Sequence, residues 1–164
     1  MKKSLWLISL LGALVLSWCW SSLSVIEYND SLVEYVKDCL NGNQALYQTF
    51  NAEWTTIDSI ADSVQDNITI CKAAKEKADK LWDYEKDSSL KDWVVNLLSA
   101  NVEYLQKFAE TKPYRNASLS DEDRAAYDSV VGELSQSQNN LNQQLTNLQD
   151  IQEWFAARHG LKLK

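Results

Sequence analysis

Cys19, Cys39 and Cys71, the single histidine His159, and the aspartates Asp58, Asp62 and Asp66 are the residues whose types and spacing could do chemistry here. Metal and haem sites inside helical proteins draw on several His, Met or Glu-x-x-His units. This chain has one His and, beyond the initiator, no Met. A Ser/His or Cys/His nucleophile would have to use His159, which stands beside Gly160 where a helix should end. A cation there compensates the helix dipole, and that role is expected of it. Three aspartates at four-residue steps form an acidic line on one helix face, the usual mark of a solvated surface rather than a cation site. No glycine-rich phosphate loop is present. The expectation is a protein that is not an enzyme, with no metal and no cofactor.

The cysteines depend on the compartment, and the compartment on the first 26 residues. Met1-Lys2-Lys3 precedes an uncharged run from Ser4 to Ile26. A basic start, an apolar stretch and a small-residue exit describe an export signal. The run is also about as long as a membrane span, which needs roughly 20 residues. Lysines on one flank hold that flank in the cytoplasm. Leu16-Ser17-Trp18-Cys19 resembles the lipobox of bacterial lipoproteins, with Leu16, Ser17 and Cys19 in place and Trp18 where a small residue is usual. That resemblance implies lipidation of Cys19. Ser22-Leu23-Ser24 offers an ordinary signal-peptidase exit, and no cleavage would leave an anchor helix. All three fates put residues 25–164 outside the cytoplasm, on the membrane through the N-terminus or secreted in soluble form.

Residues 1–24 are thus read as signal or anchor and 25–164 as one domain. The formal charge is −7 overall and −9 once the two leader lysines are set aside. So acidic a chain, with no basic stripe, repels phosphate backbones and argues against nucleic-acid binding. One Pro and four Gly leave too little punctuation for a sheet-and-turn fold.

Helical spacing predicts four rods. The first runs over about 25–50, with Tyr28, Leu32, Val36, Cys39, Leu46 and Phe50 on one stripe and Asn41-Gly42-Asn43 as a survivable interruption. The second opens at Thr55 through a Thr55/Asp58 capping box and carries Ile57, Ile60, Val64, Ile68, Cys71, Ala74, Ala78 and Leu81. A Ser89/Asp92 box opens the third, whose stripe Leu90, Val94, Leu97, Tyr104 and Phe108 holds Asn101 as a polar gap. Pro113 ends it. The fourth is capped at Ser120, and three acids follow at the positive end of its dipole. Tyr127, Val131, Leu134, Gln138, Leu141, Leu145, Leu148, Gln152 and Phe155 then alternate four and three apart, a coiled-coil repeat. Ending at Arg158-His159-Gly160, this helix would span about 39 residues, or roughly 58 Å.

Cys39 and Cys71 can meet only if the first hairpin turns midway between them, at Thr55, where the capping spacing independently places the second helix. A turn at Gly42 would leave them roughly 39 Å apart, beyond any disulfide. A Cys39–Cys71 bridge closing about 32 residues is therefore expected, worth roughly 3–4 kcal/mol in the chain-entropy model.

Trp54, Trp82, Trp93 and Trp154 fall near helix ends and are expected to plug the core there. An apolar-ligand pocket among them is the alternative. Asn67-Ile68-Thr69 and Asn116-Ala117-Ser118 match a glycosylation pattern at about the frequency chance allows. The whole reads as an all-α, antiparallel up-and-down four-helix bundle with a long coiled-coil-like C-terminal helix. The expected function is that of an exported, envelope-associated interaction or structural module. Its protein partner is unspecified, and self-association through the 120–158 helix is one form it could take. An extracytoplasmic small-ligand-binding or sensing bundle is the other reading.

Overall fold

A computed structural model describes residues 23–51, 56–114 and 120–162. Cys19 and its lipobox, Trp54, Thr55 and Asn116 lie outside these residues. The chain forms α1 (Val25–Asn51), α2 (Ile57–Asp79), α3 (Ser89–Glu110), a 3-10 turn at Lys112–Tyr114, α4 (Asp121–Thr146) and α5 (Leu148–His159). α4 and α5 are two segments of the fourth rod, and the rods alternate in direction as an all-α bundle.

Each rod is started by local chemistry. Ser24 and Glu27 make a reciprocal box ahead of α1: the Glu27 amide donates to Ser24 Oγ (3.2 Å), and the Ser24 amide donates to Glu27 Oε2 (2.8 Å). The Ser24 amide, together with the Ser24 hydroxyl donating to the same oxygen (2.9 Å), holds the Glu27 carboxyl below its usual range. α2 is boxed by Thr56 and Ser59, one residue later than the Thr55/Asp58 spacing suggested. α3 begins after Ser88 rather than at a Ser89 cap, because the Ser89 side chain is bonded to Asp87. Ser120 caps α4 by accepting from the Asp123 amide (3.1 Å). Gly160, at φ 71°, closes α5 in the left-handed conformation.

α1 runs through Asn41-Gly42-Asn43 without a break. A side chain at position 42 would collide with Asn67 of α2, since a Cβ built there falls 1.9 Å from Asn67 Oδ1 and 2.6 Å from its Cγ. Glycine is thus required by close approach of the two helices. They are joined one turn away, where the Cys39 and Cys71 sulfurs lie at disulfide distance with Cα atoms 4.6 Å apart.

α3 is the central rod and packs against all the others. Its buried set is accordingly wider than one stripe: Trp93, Leu98, Ala100 and Leu105 join Leu90, Val94 and Leu97. The fourth rod leans on α3. Lys107 of α3 binds Glu133 of α4 (2.7 Å), and the Tyr114 and Tyr127 rings pack 5.7 Å apart. The expected unbroken 39-residue helix is instead interrupted at Asn147, the one residue that separates α4 from α5. Beyond that break, Phe155 of α5 stacks on Tyr28 of α1 with ring centroids 5.9 Å apart.

The two helical glycines give opposite expectations. Gly42→Ala should destabilise by about 2–3 kcal/mol, because the new methyl displaces a buried side chain from its hydrogen bonds. Gly132→Ala meets nothing within 4 Å. It should stabilise by about 0.5–1 kcal/mol through helix propensity alone. Urea unfolding of both variants checks the pair of signs.

Candidate functional site

Three groups of side chains stand apart from ordinary packing. The first surrounds the disulfide. Asn101, read from sequence as a gap in the α3 stripe, is 1 % exposed and donates from Nδ2 towards Cys39 Sγ (2.9 Å) and Cys71 Sγ (3.1 Å). Its Oδ1 lies 2.7 Å from the Asn43 carboxamide, which in turn lies 2.6 Å from that of Asn67. Three carboxamides from three helices thus form one connected chain beside two sulfurs. Buried polar groups so connected fix a unique register, because any slip strands several of them at once. Asn67 is 2 % exposed, which leaves no room for a glycan there.

The second group closes the end of the bundle where α1 and α3 begin and α2 and α5 finish. Residues 81–88 turn tightly, with Glu85 and Lys86 at φ 49° and 69°. Two non-glycine residues in that region are strained and persist only where neighbours hold them. Asp87 is the holder. Its Oδ1 accepts from the Ser89 hydroxyl (2.6 Å) and amide (3.0 Å), and its Oδ2 lies 3.0 Å from His159 Nε2 and 3.6 Å from Arg158 Nε. The other ring nitrogen, Nδ1, is 3.3 Å from Glu85 Oε2. The imidazole ring is 4.5 Å from Phe155 and 5.1 Å from Tyr84, centroid to centroid. His159 therefore does more than offset a dipole: it ties the end of α5 to the 81–88 turn. Ser89 and His159 occupy different oxygens of one carboxylate, so the arrangement positions a carboxylate rather than activating a nucleophile. Tyr28 lies in the same end cluster. Burial, with Asp83 adding to it, pushes its phenol up to about 12. Its hydroxyl lies near the Tyr84 backbone without forming a well-made hydrogen bond.

The third feature is the seam between α1 and the fourth rod. α4 leans towards α3, and a cleft of about 360 Å³ opens between Asn43 and Leu46 of α1, Tyr104 and Phe108 of α3, and Gln138 and Leu141 of α4. The heptad reading placed Val131 and Gln138 in the core. Val131 is instead 38 % exposed and Gln138 is exposed, while Ser137 is buried in their stead. Tilting the rod onto α3 swings the buried edge back by one residue, towards Val130 and Ser137.

Other expected positions are dispersed. Asp58 pairs with Lys112 (2.9 Å) across the far end, and Asp62 and Asp66 face solvent. Among the described residues, no three His, Cys, Asp or Glu side chains are placed to hold a metal ion. Of the tryptophans expected to plug the core, Trp93 is 5 % exposed, but Trp82 and Trp154 are 47 % and 48 % exposed. Trp154 lies under the Arg158 guanidinium, 5.0 Å from it.

Burial alone would raise the Asp87 carboxyl. The Ser89 and His159 hydrogen bonds and the Arg158 charge outweigh that and hold it below its ordinary 3.8. A depressed folded-state pKa gives stability that is complete above the ordinary value and fades as pH falls through the folded one. Asp87→Asn should therefore cost about 1–3 kcal/mol near neutral pH, and the gap to wild type should narrow in strong acid. Denaturant unfolding at pH 6 and pH 2.5 measures it, and a gap independent of pH would contradict the assignment.

Compared with known protein families, with curated proteins and with solved structures, the chain matches none of them.

Proposed function

We propose that this is an exported, envelope-associated helical-bundle protein that acts as a non-enzymatic interaction module, engaging a partner helix along the seam between α1 and α4. The observation that carries the reading is the misfit between heptad and fold. The repeat from Tyr127 to Phe155 has the period of a helix with helical partners on two flanks. α3 covers one flank of α4, while the flank bearing Gln138, Leu141 and Asn142 borders an open cleft, and Val131, one heptad before Gln138, is exposed. A helix laid between α1 and α4 would cover Val131, Leu141 and Leu46 together. The carboxamides Gln138 and Asn142 would then set its register, as polar residues at coiled-coil core positions do. Self-pairing of the 120–158 helix is one form of this, and a different protein's helix is the other.

Export rests on the leader: the basic start, the uncharged run and the Leu16-Ser17-Trp18-Cys19 resemblance, with lipidation of Cys19 as the anchor. The Ser24–Glu27 box adds a physical argument for an attached form over a soluble one. Cleavage after Ser24 would remove the cap of α1, at a cost of about 1 kcal/mol, whereas lipidation at Cys19 or an uncleaved anchor retains it. Two buried thiols that have paired also suit an oxidising compartment.

A photo-crosslinking residue placed at Gln138 should give a discrete adduct in the intact envelope. The same residue at Gln143, exposed on the opposite side of α4, should not. Adducts at neither position, or equally at both, would contradict the seam as the contact.

A further inference from the structure

Among the described residues, five large apolar side chains are exposed: Ile26, Ile70, Trp82, Val131 and Trp154. Val131 belongs to α4 beside the seam, and Ile70 stands alone on α2 next to Cys71. The other three share the end where α1 and α3 begin and α2 and α5 finish. Ile26 is in the first turn of α1 and 57 % exposed, and Trp82 is in the 81–88 turn. Trp154 is higher on α5, under the Arg158 guanidinium, whose Nε lies 3.6 Å from Asp87 of that turn. Exposed apolar residues scattered singly need no explanation, but a gathering of them marks an interaction surface.

The chain's own course indicates what lies against this end. The uncharged run from Ser4 to Ile26 arrives here, and Leu23 and Val25 pack against the core as it does. With lipid on Cys19, the six residues to Val25 reach about 21 Å at most. An uncleaved span of roughly 20 residues would use Ser4 to Leu23 and leave almost no linker. Either attachment holds this end, and not the far one, at the bilayer.

The side chains suit the zone between water and hydrocarbon. An indole sits well there because its ring is apolar and its N–H can stay wet. Lys86 and Lys162 are exposed and make no ion pair among the described residues. Their long stems can lie along apolar surface while the ammonium stays among headgroups. The carboxylates of the turn already have partners: Asp83 has Lys91, Glu85 has His159 Nδ1 (3.3 Å), and Asp87 has Arg158 and His159.

We infer that this end of the bundle docks on the lipid interface, with Ile26 and Trp82 in the headgroup zone and Trp154 with Arg158 at its rim. The inference deepens the proposed function and rests on its membrane-attached form. A bundle docked end-on holds Asn43 of the seam, eighteen residues along α1 from Val25, about 27 Å further out. The cleft there then opens sideways to a partner. So does a second cleft of about 170 Å³ between α1, α3 and α5, lined by Val36, Val94 and Leu148.

The test reconstitutes the full chain with phosphatidylcholine nanodiscs. A photo-crosslinking residue placed at Trp82 should give, on illumination, a product heavier by one phosphatidylcholine. The same residue at Ile70 should not. That position is 43 % exposed, but it is level with Cys39, fourteen residues and about 21 Å along α1 from Val25. No lipid adduct at Trp82 means a bundle free on its tether, and equal adducts at both positions mean a bundle lying on its flank. Either result overturns the inference and leaves the attachment standing. A chain that never enters the discs overturns the attachment as well.

Discussion

The close approach of α1 and α2 at the disulfide is the constraint from which the rest of the architecture follows. With Cα atoms 4.6 Å apart at Cys39 and Cys71, the neighbouring turns of both helices lack room for ordinary side chains between them. Gly42 yields that space to Asn67, and the carboxamide that enters it needs partners because it is sealed from water. Asn43 supplies one, and Asn101 of α3 completes the chain and turns its own amide to the sulfurs. A covalent link between two helices thus becomes a hydrogen-bonded link among three. Sliding α3 by a single turn would leave Asn101 buried and unpaired.

That node fixes three rods and leaves the fourth to find its own place. α4 settles on α3, anchored by Lys107 to Glu133, and stands off from α1. Beyond the break at Asn147, Phe155 of α5 reaches Tyr28 and His159 reaches Asp87 at the end of the bundle. One rod therefore touches α1 at the end of the bundle, through Phe155, and leaves clefts along the rest of the seam. Both clefts lie along this seam, one on each side of Asn147.

The four rods were legible in the sequence because their apolar stripes are long and interrupted by few breakers. The cysteine pairing was legible too, since an antiparallel hairpin makes contact a matter of the midpoint between two positions. What escaped sequence reasoning was decided by partners far along the chain. Thr55-Thr56 and Ser88-Ser89 each offer two adjacent hydroxyls for one cap. Ser89 is lost to that role because it bonds Asp87, a residue fixed by His159 seventy-two positions away. In α4, Val130 and Val131, or Ser137 and Gln138, fit the same heptad equally well, and only the lean of the rod chooses between them. Asn101 showed as a gap in a stripe, and such a gap flanked by paired cysteines was the available sign of the buried node. The Ser24–Glu27 box was visible as well, but Ser24 also suits the exit of an export signal, and one residue served both patterns.

Compartment and crosslink stand together, for a disulfide at the centre of the bundle persists only where thiols are oxidised. An intact mass of the chain recovered from fractionated host cells, alkylated under denaturing conditions without reductant, addresses both at once. The account predicts a species whose Cys39 and Cys71 take up no alkyl group until reductant is added, with Cys19 carrying lipid. Recovery of the full-length chain from the cytosol, with three alkylatable thiols, would contradict it.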